Sequence, residues 1–293
     1  MNFFRYLKIY FIISALLVGA AIMSIAVFRL PIGIDFTTGS ILEVDYAQGR
    51  PSNQEIQDQL SNIDLGSVTI QPVGESGVLL KMKDISPETH QEILKRLGDD
   101  AKELRFESIG PIVGRELRNK TFLIVLLSVS LMLLYIAIAF RRVTKPISSW
   151  HYSLASIVPL IVNILVPVGV FAVLGQLGQS VQITVPVVVA LLTVFGYTIN
   201  DTVVVFDRVR ENILTHAGLD FIDVVNRSFR QTLARNLGTS FTVLLTLFAI
   251  FFFGGGTLKD FSLALIIGIA TGLFSSLFLA PSFLIFFAKV RHS

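Results

Sequence analysis

Six stretches of the chain stay apolar for long enough to cross a bilayer core, which takes about 20 residues each, and the charged positions collect between them. They run near Ile9 to Phe28, Thr121 to Phe140, Leu154 to Leu174, Ile183 to Phe206, Leu237 to Phe253 and Ser262 to Phe287. Each predicts a membrane helix. Arg5 and Lys8 precede the first stretch as they would a signal peptide, but its apolar run exceeds the 7–15 residues of a typical signal core, which favours an uncleaved anchor.

The interval between the first and second stretches, residues 31–118, has a different texture. Ile41 to Tyr46 reads as a strand and Pro51 to Ser61 as a polar-faced helix. Val68 to Val73 and Val78 to Met82 read as two further strands around Gly74 and Gly77. Ser86-Pro87-Glu88 is a helix start, with Ser as the cap, Pro in the first turn and an acid on the positive helix end. That helix runs to about Leu97, and Glu103 to Ser108 supplies a last strand. The order βαββαβ is the ferredoxin-like pattern. His90 falls on the polar face of the second helix, where a solvated side chain is expected. Three segments follow: residues 1–30 with the first span, a small external α+β domain over 31–118, and a five-helix membrane region over 119–293.

Composition agrees with a membrane protein. Hydrophobic residues make up 53% of the chain and charged residues 15%, with a mean hydropathy of +0.70. Cysteine is absent, which excludes disulfides, thiol chemistry and a Cys-based metal site. Residues 31–118 carry 15 acidic and 9 basic side chains, a balance that argues against nucleic-acid binding. Arg141, Arg142 and Lys145 follow the second span, five arginines from Arg208 to Arg235 lie between the fourth and fifth, and Lys289 and Arg291 close the chain. The positive-inside rule then places both termini in the cytoplasm and residues 31–118 outside. Between the fourth and fifth spans, Phe221, Val225, Phe229 and Leu233 recur at four-residue spacing, so the connector 207–235 is expected to be an amphipathic segment lying at the membrane surface. Asp220 is placed to cap its helix. Arg208 and Arg210 read as markers of the cytoplasmic boundary, with contact to a cytoplasmic partner as the alternative.

One residue breaks the apolar pattern. No Lys, Arg, Asp or Glu occurs between Lys145 and Asp201, so Asp201 sits about two helical turns inside a membrane stretch. An ionised carboxylate there costs a few kcal/mol or more, and such residues serve proton handling, ion or substrate coordination, or pairing with a cation on a neighbouring helix. Arg235 opens the fifth span from the side on which Asp201 ends the fourth, which makes an ion pair feasible; snorkelling into the headgroups is the plainer reading. Thr198, Asn200 and Thr202 surround the carboxylate in sequence and can hold water or bond across helices, or simply bond their own backbone. Asn163, midway along the third span, stands similarly. Gly268 and Gly272 form a Gly-x-x-x-Gly pair in the sixth span, a close-packing face. Gly254-Gly255-Gly256 reads as a helix end, and Asp35 as a turn-former rather than a ligand.

Several runs carry a family resemblance. The most specific is Gly196-Tyr197-Thr198-Ile199-Asn200-Asp201-Thr202-Val203-Val204-Val205-Phe206-Asp207-Arg208-Val209-Arg210-Glu211-Asn212. Gly33-Ile34-Asp35-Phe36-Thr37-Thr38-Gly39-Ser40 follows the first span, and Ser108-Ile109-Gly110-Pro111-Ile112-Val113-Gly114 precedes the second. Asn226-Arg227-Ser228, Gln231 to Arg235, Thr239-Ser240 and Phe253 to Gly256 extend the match over essentially the whole chain. Together they resemble the SecF family, the smaller subunit of the SecDF protein-export complex in the RND transporter superfamily. Thr38 stands where that family usually has a second Gly, and Asn236 and Gly238 where its fifth span often begins with Thr and a β-branched residue.

The resemblance implies a bacterial plasma-membrane protein with six spans and one external domain. It implies SecD as partner, and proton-driven help for preproteins leaving the SecYEG channel. It also implies a proton path through Asp201 and Arg235, no organic cofactor or metal, and H⁺ as coupling ion, with Na⁺ as the alternative. Asp207 and Arg208 belong to the same motif. An RND-type small-molecule or lipid efflux half-unit and a non-energised translocon scaffold are the competing readings. An intramembrane aspartyl protease built on Asp201 and Asp207 fails, because both acids lie on one segment six residues apart. No enzyme activity is expected.

Overall fold

The computed structural model describes residues 3–47, 49–140, 149–177, 181–215, 218–254 and 256–292. Arg141, Arg142, Lys145 and Gly255 lie outside them. The described chain divides into two compact units. One comprises residues 1–29, 123–173 and 186–293, and the other residues 30–122 and 174–185.

The second unit is the α+β one. After α2 (Ile34–Thr37) come β1 (Gly39–Tyr46), α3 (Asn53–Leu60), β2 (Thr69–Val73), β3 (Gly77–Met82), α4 (Pro87–Leu97) and β4 (Ala101–Ile109). The four strands form one antiparallel sheet in the order β2-β3-β1-β4, the ferredoxin-like arrangement. Local chemistry sets the helix starts. Ser52 and Glu55 form a reciprocal capping box on α3. The Ser86 hydroxyl accepts the Thr89 N–H, with Pro87 in the first turn. The main core lies between helices and sheet, built from Leu42, Val44, Ile56, Leu80, Ile93 and Leu97. A smaller cluster of Ile34, Ile41 and Leu79 places α2 on the other face.

His90 corrects the expectation drawn from its helix. It is only 9% exposed, its ring stacks on Phe106 at 3.8 Å, and its Nε2 lies 3.3 Å from Glu103 Oε2. Both neighbours come from β4, so the α4 periodicity could not reveal them.

Thr38 adopts φ 67° and ψ 153°, a backbone region suited to glycine and strained for a β-branched side chain. Its N–H bonds Ile34 O at 2.9 Å, which holds the turn in place. Thr38→Gly is expected to relieve about 1 kcal/mol of strain, read as roughly fivefold slower amide exchange in β1. Exchange that is unchanged or faster would contradict this.

The other unit is helical. It contains α1 (Leu7–Phe28), most of α5 (Pro111–Ala139) and α6 (Ser149–Gln176), and nearly all of α7 (Val185–Thr215). It continues through α8 (Phe221–Phe253), α9 (Gly256–Phe274), a π-helical turn (Ser275–Leu279) and α10 (Ala280–His292). Six helical segments among the described residues are long and apolar enough to cross a membrane, the sixth combining α9, the π turn and α10. Ile136, Tyr152, Phe195, Phe206 and Leu284 form one packed core of this unit. Large apolar side chains face outward, Leu123, Leu131, Phe241 and Phe253 among them. In water such a surface would be a liability, whereas lipid accepts it.

The connector 207–235 differs from its expected form. α7 runs without interruption to Thr215, and α8 starts at Phe221 and continues as one helix of 33 residues. Val224, Val225 and Phe229 are buried against Phe4, Val205, Val209 and Leu277. The apolar stripe therefore packs inside the protein rather than along a membrane surface. Asp220 occupies the N-cap position of α8, but its side chain makes no capping bond. Gly254 ends α8, its N–H bonding Ile250 O at 2.7 Å.

Candidate functional site

The helix α7 places Thr198, Asp201 and Thr202 on one face, as residues spaced i, i+3 and i+4 must be. All three are buried, with 2%, 2% and 1% of their surface exposed. Asn200 does not join them. It is exposed on the far side of α7, near the likewise exposed Gly196.

α6, α9 and the π turn complete the surroundings of Thr198. Asn163 Nδ2 donates to Thr198 Oγ1 at 2.7 Å, and the Ser275 hydroxyl donates to Asn163 Oδ1 at 3.1 Å. Asn163 is fully buried, so these two bonds satisfy its amide inside the bundle. The arrangement needs a glycine opposite. A Cβ on Gly272 would stand 2.7 Å from Thr198 Oγ1 and 3.4 Å from Asn163 Nδ2, and one on Gly268 would collide with Val194. The Gly-x-x-x-Gly pair thus serves packing within this chain, and it holds α9 against the face of α7 that carries Asp201. The π turn begins at Ser275, one residue in the network; π turns inside α-helices are frequent at functional positions.

Thr198 also differs from its peers. Thr193, Thr215, Thr239, Thr242 and Thr271 each donate to the carbonyl four residues earlier. Among the described residues no such bond forms for Thr198, whose oxygen instead accepts the Asn163 amide.

α8 faces Asp201 from the other side. Asn236, 1% exposed, approaches the Asp201 carbonyl with Nδ2 at 3.4 Å. Arg235 is exposed and forms no ion pair with Asp201 within 4.0 Å, although its charge reaches the carboxylate. Among the described residues no hydrogen bond to that carboxylate is formed. Near the end of α7, Arg208 Nε and Asn212 Nδ2 both donate to Gln231 Oε1, at 2.7 and 2.8 Å, and Asn212 also bonds Ser228 Oγ at 2.8 Å. Arg208 pairs with Glu211, and Arg210 stands 3.8 Å from Asp207. Asp207 and Arg208 therefore belong to the α7–α8 hairpin and not to the Asp201 cluster.

The glycine-rich motif residues lie in the α+β unit. Gly39 has φ +131°, and a Cβ there would stand 2.6 Å from Met82 O. Gly33 abuts Thr184, and Gly114 abuts Thr38. Gly110 and Pro111 lead into α5. Asp35 does more than shape a turn, since its Oδ2 accepts the Val185 N–H at 2.6 Å.

Comparison with known proteins decides the family. Residues 89–290 match the model described as "Protein export membrane protein SecD/SecF, C-terminal". The protein translocase subunit SecF of Thermobaculum terrenum is 39% identical, over 96% of this chain and 92% of that protein. The chain belongs to the SecF family. SecF of Synechocystis is 32% identical over 99% of the chain and 95% of the relative. A crystal structure of SecDF from Thermus thermophilus, described as a translocon-associated membrane protein, aligns with a TM-score of 0.85 at 30% identity. That alignment covers 99% of this chain but 39% of the longer SecDF chain. A SecDF structure in a super-membrane-facing form aligns with a TM-score of 0.67 over 100% of this chain. SecF membership accounts for the six apolar helices and the small four-stranded sheet.

Among the described residues no group of three or more His, Asp or Glu side chains is placed to hold a metal ion. Sequence reasoning passed over Ser275 as a bonding partner and Asn236 as a neighbour of Asp201. The small residues Gly268, Gly272, Ser275 and Ser276 along the sixth span were the available signal.

Proposed function

We propose that this chain acts with SecD to couple the proton-motive force to late-stage export of preproteins through the SecYEG channel. The observation that carries the reading is a carboxyl group 2% exposed, on a helix long and apolar enough to cross a membrane, that forms no ion pair among the described residues. A buried structural acid is normally held by a partner cation or donors. Asp201 instead sits beside a network of hydroxyl and amide groups, with Arg235 in electrostatic reach, which suits a site that alternates between protonation states. The two SecDF structures match this chain to different degrees, and that supports a fold with more than one arrangement. Asp201 takes and releases the proton, Arg235 compensates its charge, and Thr198 and Thr202 line the path. The α+β unit faces the outside and both termini the cytoplasm. The coupling ion is H⁺, and the chain catalyses no covalent chemistry.

Purification in mild detergent is expected to bring along an assembly containing SecD and SecYEG. Vesicles of that assembly should complete preprotein translocation faster when a proton gradient is imposed, and a protonophore should remove the gain. A gain that survives the protonophore but needs Na⁺ would replace the ion. Absence of any gain would leave only the scaffold reading.

A further inference from the structure

The segment after the first span and the segment before α7 are 150 residues apart in sequence, yet they are fastened together within the α+β unit. Ile32 and Ile183 form a parallel β-bridge, in which Gly33 N–H bonds Ile183 O at 2.9 Å and Ile183 N–H bonds Pro31 O at 2.7 Å. Asp35 Oδ2 then accepts the Val185 N–H at 2.6 Å. Val185 is the first residue of α7, so its N–H has no partner within the helix and the carboxyl group of Asp35 supplies one from a distant part of the chain. The fit is close. A Cβ on Gly33 would stand 2.8 Å from Thr184 Cγ2, and one on Gly175 would stand 2.9 Å from Pro31 Cβ. On its other side the same short helix, α2, leads directly into β1, and Thr38 packs against Gly114 near the start of α5.

α7 is continuous from Val185 through Asp201 to Thr215. A helix of this kind is stiff, and about 24 Å of it separates Val185 from Asp201 at 1.5 Å per residue. A displacement of α7 along or about its axis is therefore carried to Val185, and the bridge and the Asp35 bond pass it to α2 and β1. We propose that Asp35 is a positioning residue for coupling, fastening the α7 N-terminus to the sheet of the α+β unit so that events at Asp201 move that unit. The proposal rests on the proton-coupled reading above, and it assigns Asp35 to transmission rather than to the proton path.

The test uses the chain reconstituted with SecD and SecYEG, measuring proton uptake and preprotein translocation in the same vesicles. Asp35→Ala is expected to leave proton uptake within about twofold of wild type while lowering gradient-stimulated translocation about tenfold, the effect of removing one charge-assisted hydrogen bond from the clasp. Asp35→Asn keeps a side-chain oxygen able to accept the Val185 N–H, and it should restore most of the loss. The chain has no cysteine, so Ile32→Cys with Ile183→Cys introduces the only thiols. In the Asp35→Ala background, oxidation of that pair should restore translocation and reductant should remove it again. This arm also answers the case in which Asp35→Ala merely folds poorly. Wild-type translocation by Asp35→Ala would overturn the inference, as would joint loss of uptake and translocation that the crosslink does not repair. Absence of gradient-driven uptake in the wild-type assembly would instead overturn the proton-coupled reading itself.

Discussion

Asp201→Asn is expected to lower gradient-stimulated export to the level seen without a gradient, while membrane insertion and thermal stability stay at wild type. Asparagine matches the size and polarity of the acid but takes up no proton and carries no charge. Moving one charge through the membrane potential is worth ~2.3 kcal/mol per 100 mV, or about 50-fold in an equilibrium, and the substitution removes that lever entirely. The packing around the site gives no reason for collapse. The Thr198–Asn163–Ser275 bonds do not involve the carboxylate, and Asn236 contacts the backbone oxygen of Asp201 rather than its side chain. Asp207→Asn, on an exposed side chain at the α7–α8 hairpin, should change export less than about twofold. Equal losses in the two variants would point to the helix end rather than the buried acid. A stability loss in Asp201→Asn with export intact would make the acid structural.

The second large effect concerns the sixth span. Gly268→Leu should be the most destabilising single change in the helical unit, because its first added carbon already collides with Val194 on α7. Relief requires α9 and α7 to separate, and overpacking of this kind costs about 3 kcal/mol or more where backbones cannot yield. A melting curve in detergent should show a clear fall in midpoint and a lower yield of assembled protein. Gly272→Ala is subtler. Its methyl group would press on Thr198 Oγ1 and Asn163 Nδ2, so the hydroxyl beside Asp201 is displaced while the helices remain packed. Export should then fall further than stability does. If both variants behave like wild type, the close approach of α9 to α7 is not required.

Much of this architecture was legible before the structure. The apolar runs mark the six spans because a bilayer core of fixed thickness demands a fixed length of apolar helix. The βαββαβ order could be read because Gly74, Gly77, Ser86 and Pro87 punctuate the chain with local chemistry, whereas the Ser52 capping box emerged from the structure. The helix ends were less legible. Hydropathy stops where lipid stops, but α7 continues to Thr215 and α8 begins at Phe221, since polar residues there still form helix and Phe229 still finds a core. A four-residue apolar period looks the same whether it packs on headgroups or on protein.

The site divides the same way. Asp201 stands out from sequence as a lone acid in an apolar run, and its burial follows. Arg235 stays exposed and does not pair with it, a matter of side-chain direction that spacing does not encode. Asn200 adjoins Asp201 in sequence yet points about 100° away around the helix, so proximity along the chain misleads. Asp35 to Val185 and Glu103 to His90 are long-range contacts between elements, and neither residue's local pattern announces its partner.

The central claim is that the Asp201 carboxyl group changes protonation as the machine turns over. Infrared difference spectroscopy of the reconstituted assembly, with and without an imposed proton gradient, tests it most directly. A carboxyl C=O band that rises and falls with the gradient, and that vanishes in Asp201→Asn, is the predicted result. A spectrum in which that group holds one protonation state under every gradient would contradict the account.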